Sequence, residues 1–582
     1  MRPLLIFSAL ISLCLAQIQP AQKTENCPLL GPVFPAPTEL KSSSAIKAAI
    51  QTFPKLLEQA LGAGLLDNET TSFSVNIFSA NDTLYETHFA APGLNGSLAA
   101  GTLNNQTVYR VGSLSKLWSM YTFLLSAPGN QLDQPITKFI PELVNASSEN
   151  LGDGTEWEDI TIRSLAGHLS GLGRDYGNYD LANEAANFTA LGFPALTQAA
   201  EPTCGQGFTT VDIRECTRAN FIQGIVSRRS VTAPYNTPVY SNFAYIFIGY
   251  AIESITGKSF FDSFEDVVGK PLGLKRTSLT PPTDNNTIIP GNPETNSWLV
   301  NAGDENPTGG FFSSLADVTA VAQSILNSKL LRPVVTRSWM KPLTHTSNLR
   351  NAVGAPWEIF RQELPISNNT AANNTRIIDI YAKSGDLGGS EHYYGTLTAF
   401  DMDHHFGFNI LATGKRAGAV RWILGSIISE VWVNAFEQAA REEAEVKFAG
   451  TYESTAAGPA SNITFTLDDN RPGLGVSEWY NNGVNMIASL RAIDGIPTAA
   501  NVSLRLYPLN RFGDELVFRS VIETFPQTYV TGPMATNCIT WPTVDSLFYG
   551  GAGFDEFAFK VENGVATAVT PAALRNTLVK QK

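Results

Sequence analysis

Histidine is scarce in this chain, six among 582 residues, and the close pair His404-His405 is adjacent in sequence, so the two cannot share a helix face. No H-E-x-x-H pair occurs, which argues against a zinc hydrolase. No G-x-S-x-G elbow occurs either, and an α/β-hydrolase needs one. The five cysteines include no C-x-x-C, so a thiolate metal site is not expected. Basic patches with interleaved aromatics are missing, and the net charge of −13 repels phosphate, so no nucleic-acid partner is expected. Beyond the N-terminus no apolar run approaches the roughly 20 residues of a membrane-spanning helix.

At the N-terminus Arg2 precedes an apolar run from Leu4 to Ile11 that continues to Leu15 and ends in Cys14-Leu15-Ala16. The run is too short to span a bilayer, and small residues at −3 and −1 allow cleavage before Gln17, so residues 1–16 read as a secretory signal peptide. The expectation is a secreted, extracellular protein with no membrane attachment after cleavage. Four cysteines then remain, an even number that suits disulfides in an oxidising compartment. Cys204 and Cys216 bracket a short loop and are expected to pair, leaving Cys27 and Cys538 to tie the N-terminal segment to the last domain. Glycosylation sequons are dense: Asn68, Asn81, Asn95, Asn105, Asn145, Asn187, Asn285, Asn368, Asn373, Asn462 and Asn501. Their density beside a leader points to a eukaryotic secretory pathway.

Residues 17–42, rich in Pro and Gln, read as an extended lead-in. A helix is expected over 43–61 from the apolar spacing Ile46, Ala49, Ile50, Phe53, Leu56 and Leu57. Strands are expected at Ser72–Phe78 and Thr83–Phe89, then again at Ile377–Ala382, Gly395–Phe400 and Phe406–Ala412, with a helical and loop-rich middle from about 113 to 345 and a long helix from about 418 to 445. One antiparallel sheet collecting both strand groups, with helices packed on it, makes an α+β domain over 43–445. From 446 to 582, short alternating segments such as Ile463–Leu467, Val502–Leu506, Leu516–Val521 and Glu556–Val561 predict a separate all-β domain, a small barrel or sandwich.

Three short motifs carry chemistry. Gly112-Ser113-Leu114-Ser115-Lys116 is followed by apolar residues at 117, 118, 121, 124 and 125, a buried helical stripe. Lys116, three residues on, falls beside the Ser113 hydroxyl, and a desolvated lysine there could act as its base. Ser-x-x-Lys alone is weak: Ser44–Lys47 and Ser338–Lys341 match too, the first at a helix mouth where Ser is a natural cap, the second with no apolar helix behind it. Tyr240-Ser241-Asn242 follows a proline-bounded turn and precedes the apolar helix Phe243 to Ile255, stopped by Gly257. A phenol there could shuttle a proton if nearby lysines lower its pKa. Lys383-Ser384-Gly385 ends an alternating strand, where the glycine allows a substrate to approach the backbone.

In this order and spacing the three motifs resemble the serine β-lactamases and penicillin-binding enzymes, with the Tyr form of the second pointing to the class C, peptidase S12 branch, here as a secreted, fungal-type member. The resemblance covers about 45–440 and includes His168-Leu169-Ser170-Gly171-Leu172 and Gly309-Gly310-Phe311-Phe312-Ser313-Ser314, to which no chemistry is assigned; His168 reads as a turn residue. The resemblance implies a β-lactamase/transpeptidase-like fold and an acyl-enzyme on Ser113. Lys116 would take the proton, Tyr240 would pass one to the leaving group, and Asn242 would bind a substrate amide or orient Lys116. Lys383 would act on Tyr240 and on a substrate carboxylate, beside Ser384 and Gly385, and the backbone N–H groups of Ser113 and Asp386 would form the oxyanion hole. It implies no cofactor or metal and a small-molecule or peptide substrate. Asp386 stands where the family usually has a small neutral residue, and Leu117-Trp118 is bulkier than the usual Thr-Phe, which puts β-lactam turnover in doubt more than the nucleophile. An acyltransferase, or a binding protein on the same fold, are the alternatives.

Overall fold

The computed structural model describes residues 26–581 except 99, 128, 145, 147–154, 178–179, 182–187, 198–201, 203, 205–215, 369–373, 389–392 and 526–539. The leader, Cys538 and the sequons at Asn145, Asn187 and Asn373 therefore lie outside the described residues. The chain divides into two compact units. One comprises Ile50–Gln362 and Asp379–Val431; the other joins the described part of Met1–Ala49 to Glu363–Ile378 and Trp432–Lys582.

An eight-stranded antiparallel sheet organises the first unit. Its strands are β1 (Thr71–Ser79) and β2 (Thr83–Phe89), then, after the short pair β3 (Val108–Arg110) and β4 (Phe312–Ser314), β5 (Thr344–His345), β6 (Asn351–Val353), β7 (Glu358–Pro365), β8 (Thr375–Gly388), β9 (Tyr393–Asp401) and β10 (Phe406–Gly414). The order is β2-β1-β10-β9-β8-β7-β6-β5, so the early and late strands meet where β1 pairs with β10. The sheet accounts for the buried runs of β1, β9 and β10, whose inner strands are covered on both faces. Helix α1 (Ser44–Gly62) begins at a cap supplied by Ser43, whose hydroxyl accepts the Ile46 N–H at 3.2 Å, rather than by Ser44. Helices α2 (Ser115–Ser126), α3 (Phe243–Thr256) and α4 (Leu315–Leu326) bury nearly all their side chains in one large core. Trp118 belongs to it, edge-on to Phe311 at 5.0 Å. The β7 strand, broken up by Glu358, Arg361, Gln362 and Glu363, shows no clean alternation in sequence.

The expected helix over 418–445 is two helices, α5 (Ala417–Ile428) and α6 (Asn434–Lys447), joined by a π turn over Ser429–Val433. The units divide in this turn and not at 445/446. The reason is packing: Ala440, Ala444 and Phe448 share a core with Tyr452, Phe465 and Phe559. Arg376 is also held there, its Nη2 2.7 Å from Glu437 Oε2 with both groups buried.

Beyond α6 the strands run Asn462–Asp468, Gly450–Glu453, Leu578–Lys580, Val565–Pro571, Glu556–Glu562, Glu515–Phe525, Asn501–Phe512, Arg471–Asn481 and Val484–Asn485 in sheet order, and Asn462–Asp468 also pairs with Arg471–Asn481. That pairing closes the first eight into an antiparallel barrel and removes their free edges. Arg471–Asn481 reads poorly as a strand because of Pro472, Gly473 and Gly475; Gly473 has φ +76°, and a Cβ there would lie 2.8 Å from Leu506 O. The barrel is filled by aromatics, with Phe559 fully buried and 5.1 Å from both Phe465 and Phe518. Phe559→Ala is expected to destabilise this unit by about 3–5 kcal/mol, the cost of emptying such a site, read as a lower urea midpoint for its transition.

Cys204 and Cys216 form a disulfide. Cys27 is disulfide-bonded as well, its expected partner Cys538 being outside the described residues. No helix among the described residues is long and apolar enough to cross a membrane.

Candidate active site

Ser113 lies in a single 3-10 turn, Gly112–Leu114, that joins β3 to α2. Two features force this turn. Gly112 has φ +53°, which a side chain disfavours, and a Cβ there would come within 2.8 Å of the Asp386 carbonyl oxygen. On the facing strand β8, a Cβ on Gly385 would lie 2.1 Å from Val111 O and 2.8 Å from Leu114 N. The two backbones thus touch through paired glycines, which sets the turn carrying the Ser113 N–H against the backbone of Asp386. Thr396 reinforces the junction, its hydroxyl donating to Val111 O at 2.7 Å.

Lys116 projects from the first turn of α2, fully buried, with Nζ 3.0 Å from Ser113 Oγ and donating to Thr308 O at 2.9 Å. The Gly309–Ser314 stretch gains a role here: β4 pairs with β3, Val111 N–H donates to Phe311 O, and Phe311 N–H donates to Ser115 Oγ. Burial drives the Lys116 pKa down; Lys383 pushes the same way, against the Tyr240 phenol, which opposes it.

Tyr240 is placed by two laced segments. Val239 N–H donates to His168 O, Tyr235 N–H to Leu169 O and Asn242 N–H to Arg174 O. His168 has φ +59°, as a turn residue can, but it also touches Tyr240. Its ring stacks on the phenol ring at 4.4 Å, and Nδ1 accepts the Ser241 N–H at 3.1 Å, so the proton of this imidazole sits on Nε2. Burial, with Lys116, Lys383 and Arg174 nearby, holds His168 neutral, well below its ordinary pKa. Around the Tyr240 ring stand Lys116 Nζ at 5.1 Å, Lys383 Nζ at 5.5 Å and the Arg174 guanidinium at 5.0 Å. Burial raises the phenol's pKa, yet Lys116, Lys383 and a hydrogen bond with Ser113 outweigh it and leave the group below its ordinary value. Serine, amine and phenol therefore share one proton network.

Asn242 does not reach Lys116. Its Nδ2 donates to Asp175 Oδ1 at 2.5 Å, and its Oδ1 is buried without a hydrogen-bond partner. Lys383, buried on β8, places Nζ 2.6 Å from Glu358 Oε1 of β7 and donates to Ser384 O at 2.7 Å. Ser384 gives its hydroxyl to Glu358 Oε1 at 3.0 Å and its N–H to Oε2 at 3.1 Å. Burial lowers the Lys383 pKa, but Glu358 and the phenol raise it further, so the amine stays charged. Asp386 turns to α5, its Oδ1 2.8 Å from Arg421 Nη1. Glu358, Arg174, Asp175 and Arg421 are site residues that sequence reasoning missed. Glu358 and Arg421 lie in unremarkable strand and helix text with no motif around them, and Asp175 follows the His168 stretch without a pattern of its own. The other two Ser-x-x-Lys matches stay away: Lys47 Nζ donates to Ser42 O, and Ser338 and Lys341 are exposed. Among the described residues no group of three or more His, Cys, Asp or Glu is arranged to hold a metal.

An antiparallel sheet with a serine–lysine turn at the head of a buried helix, a tyrosine between two lysines and a Lys-Ser-Gly strand edge defines the β-lactamase/transpeptidase-like class of fold. The family model described as beta-lactamase matches residues 58–423, well over half of the chain, and the chain belongs to that family, within the serine β-lactamase superfamily of hydrolases. Residues 440–582 match a model described as a beta-lactamase-like C-terminal domain. A beta-lactamase-like protein of Arthroderma benhamiae is 29% identical over 96% of each chain. A probable hydrolase of Phoma sp. is 26% identical over 78% of this chain and 73% of its own. A β-lactamase/D-alanine carboxypeptidase structure from Yersinia pestis, with citrate, is 17% identical, covers 67% of this chain and 99% of that one, and has a TM-score of 0.47.

Proposed function

We propose that this protein is a serine hydrolase of the S12 type that opens an amide, ester or β-lactam-like bond of a small molecule or peptide through an acyl-enzyme on Ser113. The observation that carries this reading is the 3.0 Å approach of the desolvated Lys116 amine to the Ser113 hydroxyl, beside a phenol whose pKa two lysines depress. Ser113 Oγ attacks the carbonyl carbon as its proton passes to Lys116. The N–H groups of Ser113 and Asp386 take the charge that grows on the carbonyl oxygen. Collapse of the tetrahedral adduct breaks the bond to the leaving group, which receives the serine's proton from Lys116 by way of Tyr240, so that both groups return to their deprotonated state. Water, losing its proton to the same pair, then attacks the acyl carbon, and Ser113 Oγ leaves with that proton as the acid is released. The test is exposure to a fluorophosphonate and to a fluorescent penicillin, followed by intact mass and peptide mapping; an adduct on Ser113 is expected, and an unmodified chain would sink the reading.

We further propose that the protein is secreted and glycosylated. The apolar leader, the Cys204–Cys216 bridge and six exposed sequons, at Asn68, Asn81, Asn95, Asn285, Asn368 and Asn501, support this; Asn105 and Asn462 are half-buried. Protein recovered from culture medium is expected to begin at Gln17 and to lose mass on treatment with an N-glycosidase. An intact Met1 with unchanged mass would contradict it.

A further inference from the structure

Resting on the acyl-enzyme reading above, we infer that the substrate carries no carboxylate at the Lys383–Asp386 edge of the site, and that Glu358 enforces this. Enzymes that recognise a substrate carboxylate need a cation and neutral donors left open to receive it. Here that donor set is already filled from within the chain. The Glu358 carboxylate sits on the Lys383 ammonium at 2.6 Å, on the Ser384 hydroxyl at 3.0 Å and on the Ser384 N–H at 3.1 Å, three donors of the kind an incoming carboxylate would seek.

The second cation of this edge is spent in the same way. Arg421 gives Nη1 to Gly385 O at 2.7 Å and pairs with Asp386 Oδ1 at 2.8 Å. In both pairs the cation is buried and the acid is the accessible member: Lys383 and Arg421 side chains are 1% and 4% exposed, Glu358 and Asp386 29% and 59%. A ligand meeting this edge therefore meets two carboxylates, and placing a third against them costs repulsion and desolvation, with the two cations of this edge, Lys383 and Arg421, already paired. Across the site the exposed Arg174 stands over the Tyr240 ring, and it too has a carboxylate beside it, Asp175 at 3.3 Å. An uncharged ester or amide meets none of these penalties, and its polar leaving group can still be accepted by Glu358 or Asp386.

The measurement uses a matched pair, the 3-carbamoylphenyl and 3-carboxyphenyl esters of phenylacetylglycine, which differ in the charge on the leaving group. The ratio of kcat/KM values, corrected for the hydroxide rates of the two esters, cancels effects common to both, such as a changed field on Tyr240. The full-length protein is expected to favour the carbamoyl ester by about tenfold or more, and Glu358→Gln to narrow that preference by about tenfold. A wild-type protein that does not discriminate, or prefers the carboxylate, overturns the proposal; so does a ratio unchanged in Glu358→Gln. If neither ester turns over, calorimetric binding of the same pair to Ser113→Ala reads the preference directly. Loss of fluorophosphonate labelling at Ser113 would count against the acyl-enzyme reading instead, so the two failures are told apart.

Discussion

Ser113→Ala is expected to abolish labelling by both the fluorophosphonate and the penicillin and to lower kcat on the order of 10⁶-fold, the scale seen when a nucleophile that works as one unit with its base is removed. The substitution deletes one oxygen from a half-buried position in the Gly112–Leu114 turn and leaves the glycine contacts that shape the turn untouched. The folded protein should therefore survive, with an unchanged thermal midpoint and unchanged affinity for a neutral ester. A variant that still forms an adduct, or retains turnover within tenfold, would show that another group attacks the carbonyl. The size of the expected loss follows from the geometry. Lys116 carries no acyl-accepting oxygen, and its Nζ lies 3.0 Å from the Ser113 hydroxyl, the oxygen that the turn sets against the Asp386 backbone.

Much of this arrangement is legible in the amino-acid sequence, and the parts that are not share a physical cause. The Ser113–Lys116 spacing, the apolar stripe behind it and the alternation of β8 follow local periodicities that a linear text records. So do β1 and β2 at one end of the sheet-bearing unit's sequence and β9 and β10 near the other, although only the structure joins β1 to β10. Glu358 is different. Its importance comes from being opposite Lys383 on the next strand, 25 residues away, and nothing local to Glu358 announces this. Arg421 reaches Gly385 and Asp386 from a helix 36 residues on, for which the same holds. The carboxylate of Asp386, a worry for the oxyanion hole when read as an isolated letter, is turned aside by that arginine. Asn242 shows the opposite hazard. The resemblance implies a substrate amide or Lys116 as its partner, and in the structure its amide donates to the buried Asp175. The division between the units is hidden in sequence for a related reason: α5 and α6 share one continuous helical pattern, and only the packing of Ala440, Ala444 and Phe448 assigns the second helix to the barrel.

Lys116→Met is expected to reduce the rate of acylation by about 10³–10⁴-fold, the upper range for loss of a general base, while preserving the fold, because an apolar chain of similar length fills a fully buried slot. The companion substitution Lys383→Met separates field from contact. Lys383 does not touch Ser113, yet its charge disfavours a proton on Lys116 and favours the phenolate of Tyr240. Removing it withdraws both effects and leaves the Glu358 carboxylate to push Tyr240 the same way, so amine and phenol hold their protons to higher pH. Activity that needs the deprotonated pair is then lost from the acid side sooner. The acid limb of kcat/KM should move to higher pH in Lys383→Met, with the rate partly recovered in alkaline buffer. Glu358→Gln removes a negative neighbour of the phenol and should move the limb to lower pH. The two shifts have opposite sign, and a purely structural injury would give neither. Stopped-flow labelling by the fluorophosphonate across the pH range reads the limb without depending on the natural substrate. Limbs that coincide in wild type and both variants would remove Lys383 and Glu358 from the electrostatics of proton transfer and leave Lys116 and Tyr240 to act alone.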